Sequence, residues 1–559
     1  MTRNTEMHFG NTPNIELKRS KFDMSYSHKT TFNVGDIVPI YVDSDILPGD
    51  TVQLDMASLI RMATPIYPIM DNLYADIYFF FVPHRLVWEH WTNFWGENED
   101  PWTQQTEYEI PQITSPAGGG WKEGTIAEYM GVPLRVEGLS VNALPFRAYA
   151  KIFNDWFRDE NLMSNCHIYM DETTRAGSNS SQWNRVTQTE LGGKPCKASK
   201  MHDYFTAALP QPQRGQPVQI PLGQAVPITT GEWINGKTDE ALRWKWGFDG
   251  TERQVEINKI YGLGVARNAS DTANHTANLT TPQDQTSVDT IGLVPGNLWA
   301  DLSQATAATI NQLRTAFAIQ KYYENAGLHG TRYIEYIRGV FGVTSSDARL
   351  QRAEYLGGKR IPLNIDQIIQ TSSTDTTSPQ GNTAGFSCTI NRDSMFTKSF
   401  EEHGTLMGLV VVRTEHTYQQ GLSKMWTRKK WTDFYNPFFA NLGEQAILNE
   451  NIYAQGTAAD KEAFGYQEAW AEYRYKENRV SGYMRSNANG SLDVWHFADN
   501  YASLPYLSES WIEEPKENVD RTIAVTSAIT HQFIADFYFN QYFTRPMPIY
   551  SIPGLIDHV

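Results

Sequence analysis

Six consecutive large apolar residues, Ile77 to Val82 (IYFFFV), stand between Asp76 and Pro83. A bilayer span takes about 20 apolar residues, so this run is far too short to cross a membrane. It also lacks the polar alternation of a strand with one wet face. Periodicity alone does not separate such a run from a helix. Its aromatic content, short length and flanking Pro83 point to a strand buried on both faces. After Pro83 the period changes. Val87, Trp91 and Phe94 fall at +4 and +3, one face of a helix expected to end at Gly96.

A chain of 559 residues with 13% aromatics and 20% charged residues can bury a large core around such a strand. Its length fits several ordinary domains or one large domain with long insertions. A formal net charge of -16 argues against a free-standing nucleic-acid binder but leaves room for a local basic face. The first residues, MTRNTEMHFGNTPNIELKRSKF, carry no apolar leader segment, so no secretory route is expected. Cys166, Cys196 and Cys388 are widely spaced and odd in number, as free thiols in a reducing cytoplasm would be.

Residues 31–82 read as extended pieces, with Pro48-Gly49-Asp50 as a turn. HGTLMGLVVVRTEHTY and HQFIADFYFNQYFTRPMPIY read as strands. Helices are few. One follows Phe146, Tyr149, Phe153 and Trp156; a second follows Ile310, Leu313 and Phe317 with Gly327 as its stop; a third follows Tyr333, Ile337 and Val340. Long segments without pattern cover 171–200, 268–290 and 371–385. Loops of that length inside a compact domain are usually functional. A β core with long excursions fits a double-sheet jelly roll.

Motifs for catalysis are sparse. GEWINGKT, Gly231 to Thr238, matches the spacing of a phosphate-binding loop. Pro227 spoils the strand that should precede it, Trp233 and Ile234 are bulky where phosphate must approach, and DEALRWKWG is barely two turns of helix. It reads as a surface turn that binds no nucleotide. No H-E-x-x-H or G-x-S-x-G is present, and no two His stand at i, i+4, so neither a zinc site nor any cofactor is indicated. Glu401-Glu402 and Glu513-Glu514 read as solvated turns.

Two stretches mix cations with rings. One carries Lys424, Arg428, Lys429 and Lys430 with Trp426, Trp431 and Phe434; the other carries Arg474, Lys476, Arg479 and Arg485 with Trp470, Tyr473, Tyr475 and Tyr483. Rings that stack bases beside cations that hold phosphate make a single-strand binding surface. The same composition also arises where Lys and Arg stems cover aromatic surface at strand edges.

The segment from Arg19 to Trp91, with DYFTAALPQPQRG, ATAATINQLRTAFAIQKYYE, DARLQRAEYLGG, WTDFYNPFFANLGEQAILN and GYQEAWAEYRYKENRVSGYMRS, resembles the major capsid proteins of gokushoviruses. These are tailless single-stranded DNA bacteriophages of the Microviridae. The blocks occur in the expected order and cover nearly the whole chain except about 221–296. The resemblance implies an eight-stranded antiparallel jelly roll with long inserted loops, sixty copies in a T=1 icosahedral virion made in the bacterial cytoplasm, and the circular genome inside. It also implies an insertion clustered at the threefold axes as a protrusion toward a host receptor.

On that basis residues 1–30 are expected as an internal arm, 31–220 and 297–559 as the shell domain, and 221–296 as the protrusion, with Trp233, Trp244 and Trp246 in it. Lys18, Arg19 and Lys21 join Lys424, Arg428, Lys429, Lys430, Arg474, Lys476 and Arg479 as expected DNA contacts. Trp88, Trp91 and Trp95 are expected at contacts between copies, where buried aromatics supply much of the binding energy. Small DNA-binding or pilot proteins and scaffolding proteins of the same virus are further expected partners. Jelly-roll carbohydrate-active enzymes and carbohydrate-binding modules are also rich in Trp and loops, and they are the competing readings; an enzyme of that kind needs two carboxylates facing across a cleft.

Overall fold

The computed structural model describes residues 18–97, 107–180, 185–216, 218, 310–365 and 389–550, and the backbone of short strands within 228–300 and 367–386. Two compact units divide the chain: Met1–Arg214 with Glu324–Val559, and Gly215–Tyr323.

The first unit is a two-sheet sandwich. Its strands are β1 (Ser20–Asp23), β2 (Tyr26–Phe32), β3 (Val38–Ile46), β4 (Thr51–Met62), β5 (Leu73–Pro83), β6 (Glu354–Pro362), β7 (Thr389–Ser399), β8 (Gly404–Thr414) and β9 (Phe533–Arg545). One sheet runs β1-β9-β4-β7, with β2 also on β9; the other runs β6-β5-β8-β3. Every pairing in the two sheets is antiparallel. β1 and β2 take successive stretches of the same strand, pairing with Tyr542–Arg545 and Phe533–Phe539 respectively. From β2 onward consecutive strands switch sheets at every step except β5 to β6, which pair with each other, the connectivity of a jelly roll. Of the residues expected as an arm, 1–17 lie outside the described residues, and Ser20–Asp23 and Tyr26 onward pair with β9, which offers them a free row of backbone partners.

β5 is buried on both faces, as its composition requires. Ile77, Phe79 and Phe81 point between the sheets, among Phe396, Leu406, Phe537 and Phe539. Phe80 and Val82 point the other way, into a second core with Met407, Leu409 and Val411. That second core is built mainly by the excursion between β5 and β6, with Tyr418, Ile447, Ile452, Phe464 and Trp511 from the chain between β8 and β9. Its main helix, α2 (Leu144–Ile152), continues into a π-helical turn, Phe153–Phe157. The Tyr149 hydroxyl donates to the Ile37 carbonyl at 2.7 Å and accepts from the Cys196 backbone N–H at 3.1 Å, tying helix to sheet. Cys166 and Cys196 are both free and buried; Cys388 lies outside the described residues.

Several expectations change. The helix expected from Val87 is only α1 (Trp91–Phe94), after a 3-10 turn at His84–Leu86. Burial of the Trp88 indole, which donates to Glu172 at 2.9 Å, draws the chain off a regular helical path. α3 (Ile310–His329) runs past Gly327, and the left-handed Gly330 (φ 84°) follows its end; α4 covers Tyr333–Phe341. Residues 171–200 are not structureless. They contain a strand at Arg175–Ala176, a helical turn at Arg185–Gln188 and buried Arg185, Thr189 and Glu190. Polar residues that earn burial through hydrogen bonds leave no apolar period to detect.

In the second unit three antiparallel arrangements are described. Ile228–Thr230 pairs with Leu298–Ala300, and Gly264–Arg267 pairs with Ala277–Thr280. Trp244–Trp246 pairs with both Glu252–Arg253 and Leu293–Pro295, so Trp244 and Trp246 stand in a central strand. Trp233 and the phosphate-loop match at 231–238 lie outside the described residues.

Candidate nucleic-acid interface

The excursion between β8 and β9 carries both cation–ring stretches, and a buried charge cluster roots it. His416 follows β8 and is fully buried. Its Nδ1 meets Asp499 at 3.2 Å and its Nε2 meets Glu514 at 3.0 Å. Lys200 reaches Asp499 at 3.3 Å, and Asn518 and Tyr501 donate to the same carboxylate. Burial alone would push His416 toward its neutral form, but the Glu514 and Asp499 charges more than reverse this and raise its pKa to about 10. Burial likewise opposes ionisation of Asp499, and Lys200 and His416 outweigh it, holding the carboxyl well below the usual range. The cluster therefore contains two cations and two carboxylates. Glu513-Glu514 is no solvated turn: Glu514 is buried in this cluster, and burial with the Glu509 charge raises Glu513 to about 7.

From this root the chain places its cations. Thr417–Tyr418 pairs in parallel with Asn478–Arg479, and the Asn478 amide donates to the His416 carbonyl at 3.3 Å. Arg479 is thereby fixed at the surface, with Lys476, Arg485, Tyr475 and Tyr483 exposed around it in sequence. Trp470 lies beneath the rings. It is buried, adopts a left-handed backbone (φ 64°), packs on Tyr435 and Tyr473, and donates to the Phe439 carbonyl at 2.8 Å.

Not all of the expected cations are available. Arg428 pairs with Glu472 at 3.2 Å while its guanidinium lies over Phe434 and Tyr473, and Lys424 approaches the same carboxylate at 3.7 Å. Arg474 pairs with Glu468 at 2.5 Å. Lys429 and Lys430 are exposed. At the start of the described chain Lys18 and Arg19 are exposed, and the Lys21 ammonium sits 3.9 Å from the Tyr542 ring centroid.

The three tryptophans expected at contacts between copies separate. Trp88 is 0% exposed and packs in the helix-side core, so its side chain has no surface to offer another copy. Trp91 is partly buried against that core, between His84 and Trp95. Trp95 is 60% exposed and stacks on His403. Spacing puts Val87, Trp91 and Phe94 on one helical face; the chain is helical only from Trp91 to Phe94, and Trp88 before it is buried.

A jelly roll enlarged by two excursions, with cations and rings on one of them, is the setting in which the relatives of this chain decide its class. The family model described as Capsid protein (F protein) matches residues 11–555. The chain belongs to that phage capsid family. This capsid protein is 43% identical to Capsid protein VP1 of Spiroplasma virus 4 over 551 residues, covering 96% of each chain. It is 42% identical to Capsid protein VP1 of Bdellovibrio phage phiMH2K, with 99% of this chain and 98% of the relative covered. Capsid protein VP1 of Chlamydia phage 1 is 38% identical, with 98% and 97% covered. The family is one of structural proteins of the virion rather than of enzymes, so it gives the carbohydrate-active reading no support. Self-assembly into a shell is the capsid protein's function, and surface complementarity rather than aligned acids and bases is what it requires.

Proposed function

We propose that sixty copies of this capsid protein close a T=1 shell around a circular single-stranded DNA, with the cation–ring face of the β8–β9 excursion against that DNA. The observation that supports genome contact is joint exposure: Tyr475, Lys476, Arg479, Tyr483 and Arg485 all keep their side chains at the surface within residues 475–485. Ring faces can stack bases of any sequence while the neighbouring cations hold phosphates. Lys18 and Arg19 supply a second cationic point, and Lys429 and Lys430 a third. With a net charge of -16 the chain repels DNA overall, so small basic DNA-binding or pilot proteins of the virus share the packaging and scaffolding proteins share the assembly.

The segment 221–296 is assigned to a protrusion at the threefold axes that meets the bacterial surface. Stretches such as NASDTANHTANLTTPQDQTSVDT hold too little apolar surface to join the sandwich core. Contact among three copies supplies what one copy lacks.

Salt dependence of DNA retention tests the genome face. Neutralising Lys476, Arg479 and Arg485 together should flatten the log–log salt slope by about 2, at roughly 0.7 per released counterion on a single strand. An unchanged slope removes these residues from the interface. Excising 221–296 with a short linker should leave shells forming and stop adsorption to host cells; unchanged adsorption removes the attachment role.

A further inference from the structure

We infer that the rings between Trp426 and Leu442 are the seat of a second copy of this chain, not of the genome. The inference rests on capsid membership and is independent of the genome face proposed for 475–485.

Charge separates the two halves of the excursion's surface. Residues 475–485 hold three exposed cations among their rings. Residues 431–442, WTDFYNPFFANL, hold five aromatic side chains and no Lys or Arg, and their one charged group, Asp433, would repel phosphate. Upstream, Lys424 and Arg428 are taken up by Glu472. Lys429 and Lys430 remain at the edge of the ring surface, where rim cations of an interface stay wet and can still reach a neighbouring strand.

The apolar surface is large and already ordered. Trp426 and Trp431 are each 70% exposed, Phe438 93%, Phe434 51% and Leu442 50%. At about 150–250 Å² per aromatic side chain, these exposures amount to roughly 700 Å². Taken together over these seventeen residues, that approaches the about 800 Å² that one side of a stable interface covers. Single-turn 3-10 helices at Lys424–Trp426, Trp431–Asp433 and Pro437–Phe439 hold the rings. The Asn436 side chain accepts from the Phe438 N–H at 3.0 Å, so the most exposed ring stands on a capped turn. Trp431 packs on Phe439, whose carbonyl accepts from buried Trp470. A backbone already set in turns loses little entropy on binding, and aromatic side chains with two rotatable bonds add little more, which favours them as anchors. Phosphate needs a cation beside each ring; an apolar protein surface needs none, and the partner that shell formation guarantees is another copy.

The test uses the full chain, expressed with whichever viral proteins its assembly needs. Phe438→Ser and Leu442→Ser should leave the subunit's circular dichroism and melting temperature unchanged, since both side chains are half or more exposed, and should lower the yield of sedimenting particles at least tenfold. Phe438→Leu should recover most of that yield. Normal particle yield from both serine variants overturns the inference, and so does a normal yield of particles that have lost their DNA, which would give these rings to the genome. Should the Lys476, Arg479 and Arg485 triple variant lose assembly instead of DNA, the genome face fails while the present inference stands.

Discussion

Gly408 of β8 stands opposite Phe79 of β5, and a Cβ on Gly408 would lie 2.6 Å from the Phe79 ring. On the other side of β5, Phe79 faces Gly357 of β6. The ring fits because β8 gives up its side chain beside it, whereas a Cβ on Gly357 would meet the Met395 carbonyl instead. Gly408→Ala should therefore destabilise the subunit by about 1–3 kcal/mol through overpacking. Combining it with Phe79→Leu should cost less than the sum of the two single changes, as urea unfolding of all three variants will measure. Additive losses would mean that the pair is not in steric conflict.

This pairing marks the limit of what the sequence discloses. The run from Ile77 to Val82 announces a strand with two buried faces, and the structure provides a core on each. Tyr149, Phe153 and Trp156 announce a helix by their spacing, although not its π-helical end. Other features depend on contacts that no local period encodes. Glu514 and His416 look like ordinary polar loop residues until the fold brings them within 3.0 Å of each other. Trp88 and Trp95 were expected alike at contacts between copies and differ by full burial against exposure. Cations and rings were legible as a composition; which cations are consumed by Glu472 and Glu468 was not.

The cluster around His416 carries a pH dependence whose direction follows from its raised pKa. The folded value is about 10, above the ordinary value of about 6.5. Its stabilising contribution is thus complete below about pH 6.5 and is lost as pH rises through about 10. Melting temperature of dissociated subunits should decline across that window. His416→Gln should flatten the decline and cost about 3–5 kcal/mol at neutral pH, because Glu514 and Asp499 would remain buried with less compensation. An equally steep decline in the variant would place the titration elsewhere.

Asp76 of β5 is buried with two guanidiniums on its one carboxylate. Arg360 donates at 2.6 and 3.0 Å, and Arg413 Nε at 3.1 Å. Burial opposes its ionisation, and Arg360 and Arg413 outweigh burial and lower its pKa. Its contribution is present above the ordinary carboxylate range and fades as pH falls through the lowered value. Asp76→Ala should lose about 1–3 kcal/mol in urea unfolding at neutral pH, since it leaves Arg413 on β8 partly buried without its partner while half-exposed Arg360 on β6 can turn to water. A loss below about 1 kcal/mol would show that both arginines find water instead.

Trp88 and Trp95 should respond to the same substitution in opposite assays. Trp88 is fully enclosed in the core that β5 shares with the excursion, so Trp88→Ala removes a large packed side chain and orphans part of the Glu172 carboxylate. The expected loss is about 3–5 kcal/mol of subunit stability, with poor particle yield only as a consequence of poor folding. Trp95 projects from the end of α1 and touches His403 and Trp91. Trp95→Ala should shift subunit stability by no more than about 0.5 kcal/mol, as exposed positions do. If Trp95 anchors a neighbouring copy, its variant should nevertheless yield few sedimenting particles from a fully folded subunit. Equal stability losses in the two variants would contradict their different burial. Normal assembly of the Trp95 variant would leave the rings of 426–442 as the aromatic contact between copies.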